Sequence, residues 1–219
     1  MRTLIFSDSH LNLPFEEKKF NFLRHVIEDA DQVIINGDFW EGYKMTFDQF
    51  INSPWKHLFP LLKKRKTVYM FGNHDKKIYS DKRANLFSVI QTNRFELKLN
   101  GKTLIFEHGN RLYPLLDETH PQLYKLIRPI LPLSSVHYLF VRKFGSKLVR
   151  STFAKFNKII KKKLKKELSK NEVFICGHTH GAEFDLPHQF INTGFIKYGL
   201  AQYLLIENKK ITPKEEWYD

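Results

Sequence analysis

A single cysteine, Cys176, stands in 219 residues. Internal disulfides are therefore excluded, and the expected setting is a reducing compartment, the cytoplasm. Without paired cysteines, a structural zinc held by thiolates is excluded as well. No apolar run approaches the roughly 20 residues that a membrane-spanning helix needs. The opening Met1-Arg2-Thr3-Leu4-Ile5-Phe6-Ser7-Asp8 turns polar too soon for a secretory leader. Internal repeats and low-complexity linkers are also missing. The length then fits one domain, or one domain carrying a large insertion. Hydrophobic residues make up 42%, enough for a sizeable core.

Positive charge is abundant and unevenly placed. The net charge is +13, and residues 111–170 alone hold 15 Lys/Arg against three acids. The other 159 residues hold 21 Lys/Arg against 20 Asp/Glu. The basic character therefore belongs to one segment, which calls for an anionic partner: a membrane surface, a nucleic acid or a polyanionic substrate.

Apolar runs alternate with helical patterns in the first part of the chain. Arg2–Phe6, Val33–Ile35 and Thr67–Phe71 read as buried strands. Pro14 opens a helix with Phe15, Phe22, Leu23, Val26 and Ile27 on one face. Helical pieces between about Thr46 and Lys64 break at Pro54 and Pro60. This β-α-β-α-β order predicts parallel pairing with right-handed crossovers. Phe95–Leu99 and Thr103–Phe106 flank Asn100-Gly101, a hairpin signature. An insertion is expected at about 111–169, its first part cut short by Pro114, Pro121, Pro129 and Pro132. Its second part reads as one helix from about Ser146 to Leu168, with Val149, Phe153, Phe156, Ile160 and Leu164 as a stripe. Val173–Cys176 resumes the strand pattern, and Asn208-Lys209 closes a last hairpin.

Five strand ends carry polar clusters: Asp8 with His10; Asp38; Asn73-His74-Asp75; His108; and His178 with His180. Ligands gather at such edges in open α/β sheets. Mixed carboxylate, amide and imidazole donors suit Mn²⁺, Fe²⁺ or Zn²⁺. Seven such donors exceed one tetrahedral ion and fit two ions bridged by a carboxylate, ~3.5–4 Å apart. Within Asn73-His74-Asp75, the expected division is a metal ligand, an acid and the group that orients the acid.

The series Asp8-x-His10, Gly37-Asp38, Gly72-Asn73-His74-Asp75, His108-Gly109, Gly177-His178-x-His180 resembles the calcineurin-like metallophosphoesterases. That resemblance implies a four-layer α/β/β/α sandwich, here with a helical cap. It implies a metal-dependent phosphoric ester or pyrophosphate hydrolase in which a metal-bridging hydroxide attacks phosphorus. Asp8, His10 and His180 would hold one metal, and Asn73, His108 and His178 the other, with Asp38 bridging. Mn²⁺ is the expected metal, ahead of Mg²⁺, Fe²⁺ or Zn²⁺. His74 would bind and protonate the substrate, assisted by Asn73, and Asp75 would orient it. The insertion, Asp38-Phe39-Trp40-Glu41 and Cys176-Gly177-His178-Thr179-His180 are similar to UDP-2,3-diacylglucosamine pyrophosphohydrolases. Those enzymes carry arginine in place of His74 and aspartate in place of Asn110.

Arg111 reads either as a phosphate-binding group or as a surface arginine. Glu41 reads either as a contact to the site or as an exposed loop residue, and Trp40 and Tyr43 as packing ahead of substrate stacking. The phosphorylated substrate is expected to be lipid-linked or a UDP-sugar, with the basic segment on an anionic membrane. A nuclease or nucleotide phosphodiesterase is the second reading, and a non-catalytic interaction module the third.

Overall fold

The computed structural model describes residues 1–127 and 133–218. β1 (Thr3–Phe6) leads through α1 (Glu17–Glu28) to β2 (Gln32–Asn36). α2 (Phe47–Asn52), a 3-10 turn at Pro54–Leu58 and α3 (Phe59–Lys64) precede β3 (Val68–Met70) and β4 (Ile90–Thr92). β5 (Phe95–Leu99) and β6 (Lys102–Phe106) form the expected hairpin. α4 (Leu116–Thr119), α5 (Pro121–Ile127) and α6 (Leu133–Leu164) follow. The chain ends with β7 (Glu172–Cys176), β8 (Glu183–Asp185), β9 (Phe190–Asn192), β10 (Ile196–Lys197), β11 (Leu200–Glu207) and β12 (Lys210–Trp217).

The strands make two sheets. One runs β10-β11-β1-β2-β3-β4 with β12 added to β11, and the other runs β5-β6-β7-β9-β8. Ile5, Ile34, Val68 and Met70 of the first meet Leu104, Phe106, Val173 and Ile175 of the second in a buried layer. The outer face of the first sheet is covered through Leu23, Ile27, Phe50, Trp55 and Leu62, from α1 to α3. On the second sheet, Ile160 and Leu164 of α6 pack on Ile105, Phe174 and Phe190. The order is α/β/β/α. The inner strands are buried on both faces, which is why they read as unbroken apolar runs. Each fully buried Leu, Ile, Val or Phe contributes about 1.5–3 kcal/mol.

Register sets where the strand ends fall. Phe6 pairs with Ile35, and Asn36 with Met70, both in parallel. In the other sheet, Phe106 pairs with Ile175. The residues just beyond β1, β2, β3, β6 and β7 therefore emerge along one edge.

Local chemistry explains several boundaries. The Thr46 hydroxyl accepts from the Gln49 N–H, and the Gln49 side chain accepts from the Thr46 N–H, a reciprocal cap on α2. Pro60 falls in the first turn of α3, where its missing N–H costs nothing. α1 begins at Glu17 rather than Pro14, because Phe15 packs on Trp55 at 4.7 Å instead of joining the helix. β4 was not legible: three half-exposed residues carry no periodicity. In the basic segment, α6 extends back to Leu133 and is broken at Gly145, whose φ of 69° no helix tolerates. Val149, Ile160 and Leu164 are buried and Phe153 and Phe156 partly so, as the stripe predicts. Pro129 and Pro132 lie outside the described residues. No helix among the described residues is long and apolar enough to cross a membrane.

Candidate metal centre

Asp38 lies at the middle of the clustered strand ends. It follows Gly37 at the end of β2, and its Oδ2 faces His108 Nε2 at 3.3 Å, His10 Nε2 at 3.7 Å and His74 Nε2 at 3.9 Å. Its Oδ1 accepts the His74 backbone N–H at 2.9 Å. One carboxylate oxygen thus borders residues from both expected ligand sets.

On one side, Asp8 Oδ1 lies 3.2 Å from His180 Nε2, and His10 Nε2 lies 3.3 Å from His180 Nε2. Asp8 Oδ2 is anchored by the His178 N–H at 2.9 Å and by the Ser7 hydroxyl. On the other side, Asn73 Oδ1 lies 2.9 Å from His178 Nδ1 and 3.2 Å from His108 Nε2. Backbone carbonyls fix both imidazole tautomers. His108 Nδ1 donates to Asn36 O at 2.9 Å, which leaves Nε2 facing inward. His178 Nε2 donates to Tyr113 O at 2.7 Å, which leaves Nδ1 facing inward.

Two observations test whether these donors suit an ion. Asp8 Oδ1 is buried, and among the described residues it faces the imidazole nitrogens of His180 at 3.2 Å and His10 at 3.8 Å without an aligned hydrogen bond. A buried carboxylate oxygen left so is costly unless a cation meets it. The cluster also favours positive charge. Burial alone would lower the His108 pKa, but Asp38 and Asp8 overcome it and raise it to about 10. A proton or a metal ion can supply that charge. Asp8, His10 and His180 form one group whose ligand atoms all lie within 4.8 Å of one another, and Asp8, Asp38 and His108 form a second. A third group, His10, Glu41 and His74, meets the same limit, and these donors fit divalent metal ions.

Backbone geometry separates these positions from their neighbours. Asp8, His10, Asp38, His178 and His180 all have φ between 43° and 66°. Non-glycine residues pay for that conformation, and such strain collects at functional sites.

His74 borders the cluster. Its Nδ1 meets Glu41 Oε1 at 2.8 Å, and its side chain keeps 17% exposure. Burial would lower its pKa; Asp38 and Glu41 outweigh that and raise it to about 9. Here the geometry corrects the expectation for Asp75. The carboxylate on the His74 ring belongs to Glu41, whereas Asp75 accepts backbone N–H groups from Asp38 at 3.0 Å, Phe39 at 2.7 Å and Gly72 at 2.6 Å. Asp75 immediately follows His74 but serves the backbone of two loops. Glu41 is buried, not an exposed loop residue, and its Oε2 also faces His10 Nδ1 at 3.3 Å.

Arg111 does not reach the cluster. It pairs with Glu107 at 3.1 Å and Glu167 at 2.9 Å, two carboxylates that hold its guanidinium at the rim. It lines a cavity of about 440 Å³ that also reaches Gly72 and His108, and not the smaller one bordered by Asp38, Asn73, His74, His178 and His180. Trp40 is fully buried against Phe50, as packing predicts. Tyr43 does more than pack: its ring lies 4.7 Å from His74, and its hydroxyl donates to Asp117 at 2.7 Å.

Two residues of the helical segment had no sequence signal. Asn157 on α6 accepts from the Thr179 hydroxyl at 2.7 Å and donates to Gly181 O at 2.7 Å, which fixes the loop bearing His178 and His180. Asp117 on α4 accepts from Asn73 Nδ2 at 2.8 Å. A cavity of about 120 Å³ lies over the centre, with Asp38, Asn73, His74, His178 and His180 on one side and Leu115, Phe153 and Phe156 on the other.

A family model described as calcineurin-like phosphoesterase matches residues 1–182. No curated protein matches the sequence. Among solved structures, the chain is similar to an archaeal phosphodiesterase at 16% identity, covering 98% of this chain and 99% of that one, with a TM-score of 0.48. It is also similar to Yfce, a phosphoesterase from E. coli, at 16% identity with 100% of both chains covered and a TM-score of 0.47. Vps29 from Entamoeba histolytica in complex with zinc is 12% identical over 100% of both chains, with a TM-score of 0.47.

Proposed function

The chain belongs to the calcineurin-like phosphoesterases, and from that premise we propose that it is a dinuclear metal-dependent hydrolase of a phosphoester or pyrophosphate bond. The observation that carries this reading is the meeting of both ligand sets at Asp38 Oδ2. Asp8, His10 and His180 would hold one ion, Asn73, His108 and His178 the other, and Asp38 would contribute to both. The oxygen and imidazole donors favour Mn²⁺, with Mg²⁺, Fe²⁺ and Zn²⁺ as alternatives. Divalent ions there would make hydroxide available near neutral pH and draw charge from the phosphoryl oxygens.

The remaining steps belong to side chains. His74, held by Glu41 and partly exposed, donates a hydrogen bond to a phosphoryl oxygen and then a proton to the leaving oxygen. Asp75 fixes the backbone on which Asp38 and His74 sit. Leu115, Phe153 and Phe156 line the far wall, so the ester group beside the phosphorus is apolar or aromatic on one face. That wall favours an amphipathic substrate, lipid-linked or a UDP-sugar. A panel with Mn²⁺ tests the reading: bis-p-nitrophenyl phosphate, a monoester, UDP-linked sugars and single-stranded DNA, with Asp38→Ala as control. Turnover of DNA alone would favour the nuclease reading. No turnover at all, with no metal retained, would favour a non-catalytic module.

We propose also that the helical segment at about 111–169 caps the site and rests on an anionic lipid surface. Lys155, Lys158 and Lys162 are exposed on α6, Lys165 and Lys166 on the turn that follows it, and Leu123 and Leu126 are 46% and 69% exposed on α5. Exposed leucines and lysines within one segment suit an acyl boundary beneath acidic headgroups. Flotation with phosphatidylglycerol vesicles but not phosphatidylcholine vesicles is expected; equal recovery would refute it.

A further inference from the structure

We infer that Asp117 is a positioning residue for the second metal site, setting which end of the Asn73 amide faces the ion; this rests on the dinuclear reading above. An asparagine side chain is nearly symmetric in shape, and its two ends differ only in what they bond. As a metal ligand it must present Oδ1. Something must therefore hold Nδ2 at the opposite end.

Asp117 does so. It is 6% exposed, and its Oδ2 accepts from Asn73 Nδ2 at 2.8 Å and from the Tyr43 hydroxyl at 2.7 Å. A carboxylate only accepts, so it admits the NH₂ end and rejects the carbonyl end. The Asn73 oxygen is then directed at His178 Nδ1 and His108 Nε2, 2.9 and 3.2 Å away. The neighbouring Glu118 accepts from Asn110 Nδ2 at 2.8 Å, which ties α4 to the loop after His108. The short helix is thus fixed on both sides, and a segment distant in sequence completes a ligand that follows β3. Tyr43 lies against His74, so the same oxygen also restrains the ring that faces the substrate.

Groups that orient ligands typically govern metal affinity by ~10–100-fold. The test is Mn²⁺ titration of the full chain, followed by calorimetry and by electron paramagnetic resonance, which reports coupling between paired ions. The wild type should bind two ions. Asp117→Ala should weaken one of them by ~10–100-fold, leave the other unchanged and lose the coupled signal. Asp117→Asn keeps an acceptor oxygen and should stay close to the wild type. If the alanine variant does not fold, Asp117→Ser replaces it with the same expectation, because its shorter side chain cannot span to Asn73. Equal affinity of both ions in the alanine or serine variant would overturn the inference. So would an asparagine variant as weak as the alanine one, which would assign the effect to charge. A wild type that binds fewer than two ions would instead sink the dinuclear reading, and this inference with it.

Discussion

Gly72→Ala is expected to disable the proposed metal centre through space alone. Gly72 has no positive φ, so the backbone there suits any residue. An added Cβ, however, would overlap Asp38 Oδ1 and lie 2.6 Å from the Asp38 backbone nitrogen. Ordinary contact begins near 3.4 Å, so the Asp38 carboxylate must retreat by about an ångström, and its backbone with it. Metal ligands tolerate displacements of only ~0.2 Å. Misplacement by about 1 Å costs on the order of 100-fold in turnover, and overpacking costs about 1–3 kcal/mol in stability. The expected result is loss of at least one bound ion and a rate on bis-p-nitrophenyl phosphate lower by ~100-fold or more.

Gly101→Ala supplies the control. Gly101 has φ of 75° and nothing within 4 Å of an added Cβ. That variant should lose about 1 kcal/mol in urea unfolding and keep normal metal content and rate. Metal analysis after dialysis, the hydrolysis rate and urea unfolding together separate the two cases. A Gly72→Ala protein with two ions and the wild-type rate would refute the packing argument. It would also remove the reason for a similar claim at Gly177, where a Cβ would meet Ser7 Oγ and Asp8 Oδ2.

Gly72 and Gly177 serve a purpose that no local pattern encodes. The parallel pairing of the first three strands, the hairpin and the strand ends bearing the clusters follow from apolar runs and turn residues. Glycine at the end of β3 reads as a turn signal, yet its function is clearance for a carboxylate that precedes it by 34 positions in the chain. Asp75 likewise reads as the partner of its neighbour His74, whereas the fold brings Glu41 to that ring. Which carboxylate meets which imidazole depends on loop paths, and no local period encodes them. Asn157 and Asp117 lie in a segment whose charge dominates its sequence. Their buried amide and carboxylate acquire meaning only once α4 and α6 are placed over the strand ends.

Three further outcomes follow from the same geometry. Glu41→Gln removes charge from the hydrogen bond to His74, so kcat should fall by on the order of 10-fold. The His74 pKa should drop from about 9, so the loss of its protonated form, and of activity, as pH rises should begin at a lower pH than in the wild type; an unchanged pH–rate profile would contradict this. Asn157→Ala strands Gly181 O and removes the acceptor of Thr179, costing about 2–3 kcal/mol in urea unfolding; a loss near zero would show that the loop bearing His178 and His180 is held otherwise. Lys19→Met should stabilise the protein at pH 7. Lys19 is 1% exposed, and burial, only partly offset by Glu16, lowers its pKa to about 8 from 10.5. With the folded value below the unfolded one, the unfolded chain binds more protons between pH 8 and 10.5. Wild-type stability from this group therefore rises through that window, and below it the charged form costs up to about 3 kcal/mol. Part of the methionine variant's gain is offset by the lost bond to Ser9 O at 3.3 Å. Its advantage should be constant below about pH 8 and shrink toward pH 10.5. Urea unfolding of both proteins at neutral and alkaline pH measures the difference, and an advantage independent of pH would show that Lys19 is not buried as a cation.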